Sequence, residues 1–236
     1  MSIKPLAADE VHVWCRFTAA IPDDELSALA EQLSPCERER CRRFVVAQDR
    51  RDFTAAHALL RRVLSLHGGK LPSEWKFETN RYGKPRIASA EAPALLFNLS
   101  HTRGLVACAV AIGAELGIDV EAIHETALPR EIASHFFSQT ELRQLAACSP
   151  ADYAHRFIEF WTLKEAYIKA IGTGLSHPLD SFSFSLDGNG DIQFSARDTR
   201  ESEWRFALIT PDPGYRLAVA VRCKVPGQDY RITLQD

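Results

Sequence analysis

No stretch of this 236-residue chain is apolar over the roughly 18 residues that a membrane-spanning helix needs. The N-terminus, where Asp9 and Glu10 lie close to Lys4, lacks the pattern of a secretory signal. Both absences point to a cytoplasmic protein. The six cysteines include no Cys-x-x-Cys pair and keep no spacing to histidine that suggests zinc, so they are expected as reduced thiols of the core or of helix surfaces. There is no Gly/Ser-rich linker and no low-complexity tract. Nor is there an excess of positive charge: the net charge of -3 argues against a generic nucleic-acid binder.

What is present is unevenly distributed. Residues 36–62 carry eight Arg against four acids, a local +4 that leaves the remainder of the chain at -7. Glu37, Glu39, Asp49 and Asp52 interleave with these arginines, so the segment reads either as a solvated helix face or as a phosphate-binding one. With 46% hydrophobic residues the chain is long enough to bury a sizeable core, as one large domain or two small ones.

Self-similarity favours two. The capping-box pattern Ser-x-x-Glu occurs at Ser34–Glu37 and again at Ser138–Glu141, 104 residues on. The runs FTAAHALLRRVLSLHG (from Phe53) and FIEFWTLKEAYIKAIG (from Phe157) start at the same offset and end at the same offset, in Gly68 and Gly172, each suited to a left-handed C-cap. Strand and turn signals follow in both halves, and each half closes on a Gly-led apolar strand, GLVACAVAI from Gly104 and GYRLAVAV from Gly214. The expected fold is therefore α+β, two similar halves (1–113 and 114–236) forming an intramolecular pseudo-dimer with the active site at their interface. At the 104-residue offset, Lys164 and Glu165 stand where the first half has Leu60 and Arg61, so the helix itself does not require that carboxylate.

Four stretches carry candidate chemistry. In the helix from Phe157, Trp161, Glu165 and Lys169 form a stripe beside the apolar face, which is either an exposed ion pair or part of a site. In GIDVE, a strand would send Asp119 and Glu121 to one face, where two acids repel unless solvated or sharing a cation. With Glu165 they would offer three hard oxygen donors suited to Mg²⁺. FNLSHTRG is expected to place Ser100 and His101 at a turn, as structural residues or as a pair of donors to a phosphate. RYGKPRI displays Lys84 on a Gly-Lys-Pro turn, which is otherwise an ordinary hairpin turn. Together, carboxylates for a metal and cations for several phosphates suggest a magnesium-assisted transfer of a phosphate-containing group.

GKP, FNLSH, GIDVE and, about forty residues further on, WTLKEAYIKAIGTGL occur in an order and approximate spacing that resemble the 4′-phosphopantetheinyl transferases of the surfactin-synthetase-activating type. The resemblance runs from about Ser34 to Tyr215. It implies a holo-acyl-carrier-protein synthase activity: transfer of the phosphopantetheine arm of coenzyme A to a serine of apo acyl or peptidyl carrier proteins, releasing adenosine 3′,5′-bisphosphate. It also implies that Asp119, Glu121 and Glu165 hold Mg²⁺, that Glu165 acts as general base, and that Lys169 is catalytic as well as phosphate-binding. Arg40, Lys84, Ser100, His101 and Lys164 match further positions that contact coenzyme A.

The match is imperfect in the basic segment. Glu37 replaces a basic position, and another aligns with Asp52, so Arg51 serves only if the helix register shifts. The segment Ala122–Phe136 is either a carrier-docking element or an ordinary connection. Because two halves in one chain supply a whole site, a monomer acting on carrier proteins, with no nucleic acid or membrane partner, is expected. The alternative is a module that binds coenzyme A or a nucleotide without catalysis.

Overall fold

The computed structural model describes residues 5–88, 95–123, 130–188, 190–225 and 228–235. The chain divides into two compact units, Met1–Ala114 with Arg231–Asp236, and Glu115–Tyr230. Both mix α and β, as expected. Among the described residues no helix is long and apolar enough to cross a membrane.

The first unit opens with β1 (Glu10–Phe17), followed by α1 (Asp23–Glu31), α2 (Pro35–Arg42) and the 22-residue α3 (Ala47–Gly68). A short hairpin, β2 (Phe77–Thr79) and β3 (Pro85–Ile87), precedes β4 (Leu95–Thr102) and β5 (Leu105–Ile112). Strand β5 is central and almost wholly buried, in keeping with its unbroken apolar run. The last strand of the chain, β11 (Arg231–Gln235), pairs in parallel with β1 and completes the order β11-β1-β5-β4. The expected division at 113/114 had left this strand in the second half. Its place is fixed by backbone pairing, the Arg231 amide donating to the Asp9 carbonyl at 2.9 Å, and by an Arg231–Glu10 ion pair at 3.5 Å. Neither leaves a local mark on sequence periodicity.

The second unit repeats the order: β6 (Leu116–Ala122), α4 (Arg130–Phe136), α5 (Gln139–Ala147), the 22-residue α6 (Pro150–Ile171), the hairpin β7 (Phe182–Leu186) and β8 (Ile192–Ala196), then β9 (Trp204–Ile209) and β10 (Tyr215–Arg222). Its sheet has the order β6-β10-β9, antiparallel throughout. Ser34 and Ser138 both cap their helices through full capping boxes, which satisfy amide groups that a helix start leaves unbonded.

One detail of the repeat changes. The left-handed caps are Gly69 (φ 69°) and Gly172 (φ 73°), and Gly68 is helical, its Cα lying against the Trp75 ring. The long helices run Ala47–Gly68 and Pro150–Ile171, an offset of 103 rather than 104. Lys164 therefore corresponds to Arg61, and Glu165 to Arg62. Paired side chains confirm this register. Arg61 meets the capping-box Glu37 at 2.7 Å and donates to the carbonyls of Pro72 and Trp75, while Lys164 meets the capping-box Glu141 at 2.9 Å and donates to the carbonyls of Leu179 and Phe182.

The strand–helix crossings of the two units are built differently. In the first, His12 and Trp14 of β1 fill the space against α3, their rings each 5.4 Å from that of His67. In the second, Gly117 of β6 lies directly on the backbone of α6, where an added Cβ would stand 2.0 Å from the Ala166 carbonyl oxygen and 2.5 Å from the Ala170 nitrogen. Backbone atoms cannot rotate away, so Gly117→Ala is expected to destabilise by about 3 kcal/mol or more. By comparison, Gly69→Ala, with open space around its Cβ, should lose only about 1 kcal/mol through its left-handed backbone. Urea midpoints compared at constant slope read both; equal losses would contradict the crossing described here.

Candidate active site

The residue after next on β6 uses the approach that Gly117 allows. With a side-chain period of two, Gly117, Asp119 and Glu121 share the face turned to α6, along with Ala218 and Ala220 opposite on β10. Asp119 is only 3% exposed, and its Oδ1 accepts a hydrogen bond from the Lys169 ammonium at 2.5 Å. One turn back along α6, Glu165 is half-buried. Burial pushes its carboxyl above the ordinary 4.5, the negative charge of Asp119 pushes it further, and Lys169 opposes both. A strand carboxylate thus bears on a helix carboxylate, and one ammonium, hydrogen-bonded to Asp119, offsets part of that charge.

Glu121 lies two residues further on the same face, half-buried, directly across from Arg216 in the β6–β10 register. Arg216 also donates to Glu159 at 3.3 Å, and its guanidinium lies 3.1 Å from the His155 ring nitrogen. The structure therefore brings Asp119, Glu165 and Lys169 together and sets Glu121 at the end of the same row. No three His, Cys, Asp or Glu side chains among the described residues form a ready-made metal cluster.

Several expected site residues are placed otherwise. Lys164 is 0% exposed, and its ammonium has three oxygen partners: Glu141 at 2.9 Å, the Leu179 carbonyl at 2.6 Å and the Phe182 carbonyl at 2.8 Å. Its donors are thus spent inside the unit and not on the phosphates expected from the resemblance. Burial raises the Glu141 carboxyl and lowers the Lys164 ammonium, and the attraction between the two opposes both shifts. Arg51 is similarly engaged: its guanidinium donates to the Thr18 carbonyl at 2.9 Å, to Asp23 at 2.9 Å and to the Ile21 carbonyl. It clamps the turn after β1.

Ser100 and His101 lie inside β4, not at a turn, and as consecutive strand residues they point to opposite faces: Ser100 is buried and His101 exposed. The turn expected there is thus a strand, and the two side chains do not stand side by side. Lys84 does sit on a tight turn, where Asn80 Oδ1 accepts from the Tyr82 and Lys84 amides and Gly83 takes a positive φ of 88°. Arg40 is exposed on α2, its guanidinium 5.5 Å from the centre of the Phe53 ring.

The basic segment mixes ligand-like and structural charges. Asp52 is 3% exposed and accepts from Thr18, Gln48 and the Gly104 amide. Burial raises the Glu37 carboxyl, but His57, the Ser34 amide and Arg61 more than offset this and hold it at about 2. Glu37 and Asp52 are thus internal acceptors. Of the connection Ala122–Phe136, residues 124–129 lie outside the described residues. Two residues that matter here had no assigned role in the sequence: Gly117, which a glycine inside an otherwise apolar strand could have signalled, and Glu141, legible only as a helix cap.

Comparison with known proteins places both units in one family. The family model described as the 4′-phosphopantetheinyl transferase superfamily matches residues 115–220, and the model described as the N-terminal part of 4′-phosphopantetheinyl transferases matches residues 21–112. The chain is similar to the 4′-phosphopantetheinyl transferase HetI of Nostoc sp. (strain PCC 7120), at 34% identity over 92% of this chain and 89% of the relative. It is similar also to the 4′-phosphopantetheinyl transferase Sfp of Bacillus subtilis (strain 168), at 37% identity over 79% and 81%. Among solved structures, a holo-acyl-carrier-protein synthase of Bacillus anthracis in complex with coenzyme A overlaps 46% of this chain and 94% of its own, at 17% identity and a TM-score of 0.39. That likeness is too slight to bear on the site. The chain belongs to the 4′-phosphopantetheinyl transferase superfamily, and it is an enzyme of that class.

The charge balance gives a stability test. Because its folded carboxyl titrates above the ordinary 4.5, ionised Glu165 opposes folding: the penalty is absent below the unfolded value and complete once pH has risen past the folded one. In the presence of a chelator, Glu165→Gln is expected to melt about 1–3 °C above the parent at pH 8, and the gain should vanish as pH falls toward 4. Equal melting temperatures at pH 8 would show that Asp119 and Glu165 do not share a field.

Proposed function

We propose that this chain transfers the 4′-phosphopantetheine arm of coenzyme A to the serine hydroxyl of apo acyl or peptidyl carrier proteins and releases adenosine 3′,5′-bisphosphate. The observation that carries the reading is the cluster of buried Asp119 with half-buried Glu165 and Lys169 in a chain matched along both units by transferase families. Asp119, Glu121 and Glu165 would hold Mg²⁺. Their hard oxygen atoms, and the unfavourable proximity of Asp119 to Glu165, fit a divalent cation. When bound, Mg²⁺ supplies charge neutralisation for the diphosphate as its bridging bond breaks.

The chain's own residues account for the rest. A serine hydroxyl is a poor nucleophile near neutral pH, and Glu165, with its affinity for a proton raised by burial and by Asp119, is the general base that removes its proton. Lys169, long enough to leave Asp119 and reach a phosphate oxygen, stabilises the charge that develops on the leaving group. Arg40, Lys84 and His101, each at least partly accessible, have the donor character that the nucleotide end of coenzyme A calls for. The same reading takes the enzyme to act as a cytoplasmic monomer on proteins, not on nucleic acid or membranes.

Intact-mass measurement of a panel of apo carriers, incubated with the protein, coenzyme A and Mg²⁺, tests the proposal. At least one carrier should gain the phosphopantetheine mass, and Glu165→Gln should slow that gain by about 10³-fold or more while coenzyme A still binds. If a control transferase modifies the panel and this protein binds coenzyme A yet modifies none, it is a non-catalytic coenzyme A module.

A further inference from the structure

The fully buried pair Lys164–Glu141 lies one residue from the proposed base and has no part in the site as described. Lys164 Nζ lies 4.2 Å from the centre of the Phe182 ring as well as within hydrogen-bond reach of its three oxygen acceptors. Glu141 is equally saturated: Oε2 takes the Ser138 amide at 2.8 Å and Oε1 takes the Phe184 amide at 2.8 Å. One ion pair thus ties α6 to the start of α5, to the turn at Leu179 and to the first residues of β7. The same connection stands in the first unit, where Arg61 joins Glu37 and the carbonyls of Pro72 and Trp75, so it belongs to the repeated architecture.

In the second unit this connection has a further consequence. Residue 164 is pinned on one side by the ion pair, and residue 166 is pinned on the other by Gly117 of β6 against its carbonyl. Adjacent helix positions are about 100° apart around the axis, so fixing both neighbours removes the roll of α6 that would swing residue 165 away from β6. We propose that Lys164 is a positioning residue for the transfer reaction: with Glu141 it locks the roll of α6 and so holds the Glu165 carboxylate beside Asp119. For its kinetic readout this rests on the transferase reading given above.

Lys164→Met, Glu141→Gln and the double variant test it, through kcat, KM for coenzyme A and the Mg²⁺ affinity of the free protein. Each single change should lower kcat by about 10–100-fold, as small misplacements of a catalytic group do, with KM for coenzyme A within about twofold. The double variant should lose no more than the worse single, as expected for two groups acting through one contact. Mg²⁺ affinity should fall about tenfold in all three.

A rise in KM for coenzyme A at full kcat in Lys164→Met, with Glu141→Gln unaffected, would make Lys164 a phosphate ligand and overturn the proposal. So would a lower melting temperature with kcat per folded molecule and Mg²⁺ affinity unchanged, the result of a purely structural role. If Lys164→Met does not fold, Glu141→Gln, which keeps an acceptor oxygen, decides on the same readouts. If the parent modifies no carrier, the transferase reading fails, and the Mg²⁺ affinities still decide whether Lys164 positions Glu165.

Discussion

Gly117 has no side chain, and the second unit depends on that absence. Because β6 can lie on the backbone of α6 at Ala166, a carboxylate two residues along the strand reaches the helix, where it meets an ammonium one turn beyond a second carboxylate. Any larger residue would lift the strand from the helix and separate Asp119 from Glu165 and Lys169. The first unit shows the alternative: there the rings of His12, Trp14 and His67 fill the crossing. One architecture, used twice, brings acidic side chains to the helix where the crossing is tight and packs rings where it is not.

Charge inside this protein has two distinct uses. The pairs Arg61–Glu37 and Lys164–Glu141 are closed, every oxygen and nitrogen being answered within the unit, and they fix geometry. At Asp119 and Glu165, by contrast, like charges meet: burial and the Asp119 charge raise the Glu165 carboxyl, and Lys169 opposes them without cancelling the shift. Bringing two acids together costs stability, and under the proposed function a divalent cation would relieve that cost.

Much of this was legible in the residues. The two capping boxes, the two long helices and the Gly-led strands are local signals, and they led to the repeat and to an α+β architecture. GIDVE and WTLKEAYIKAI gave the acids and the lysine of the cluster because strand and helix periods place side chains reliably. What the sequence concealed was of two kinds. The true register of the repeat depends on where a helix ends, and two consecutive glycines, Gly68 and Gly69, left a one-residue ambiguity that moved Lys164 onto Leu60 instead of Arg61. Burial was equally hidden: Lys164, Arg51 and Ser100 have side chains suited to phosphates, and only packing shows that the lysine and arginine are spent on backbone carbonyls and that the serine faces away from His101.

The proposed function puts a divalent cation at the Asp119 face of β6 and Glu165 of α6. Electron paramagnetic resonance with Mn²⁺ in place of Mg²⁺ measures it most directly, by counting bound ions without reference to turnover. One ion held per chain in the parent, and at least about tenfold weaker binding in Asp119→Asn, are expected. Equal Mn²⁺ affinity in parent and Asp119→Asn would contradict it.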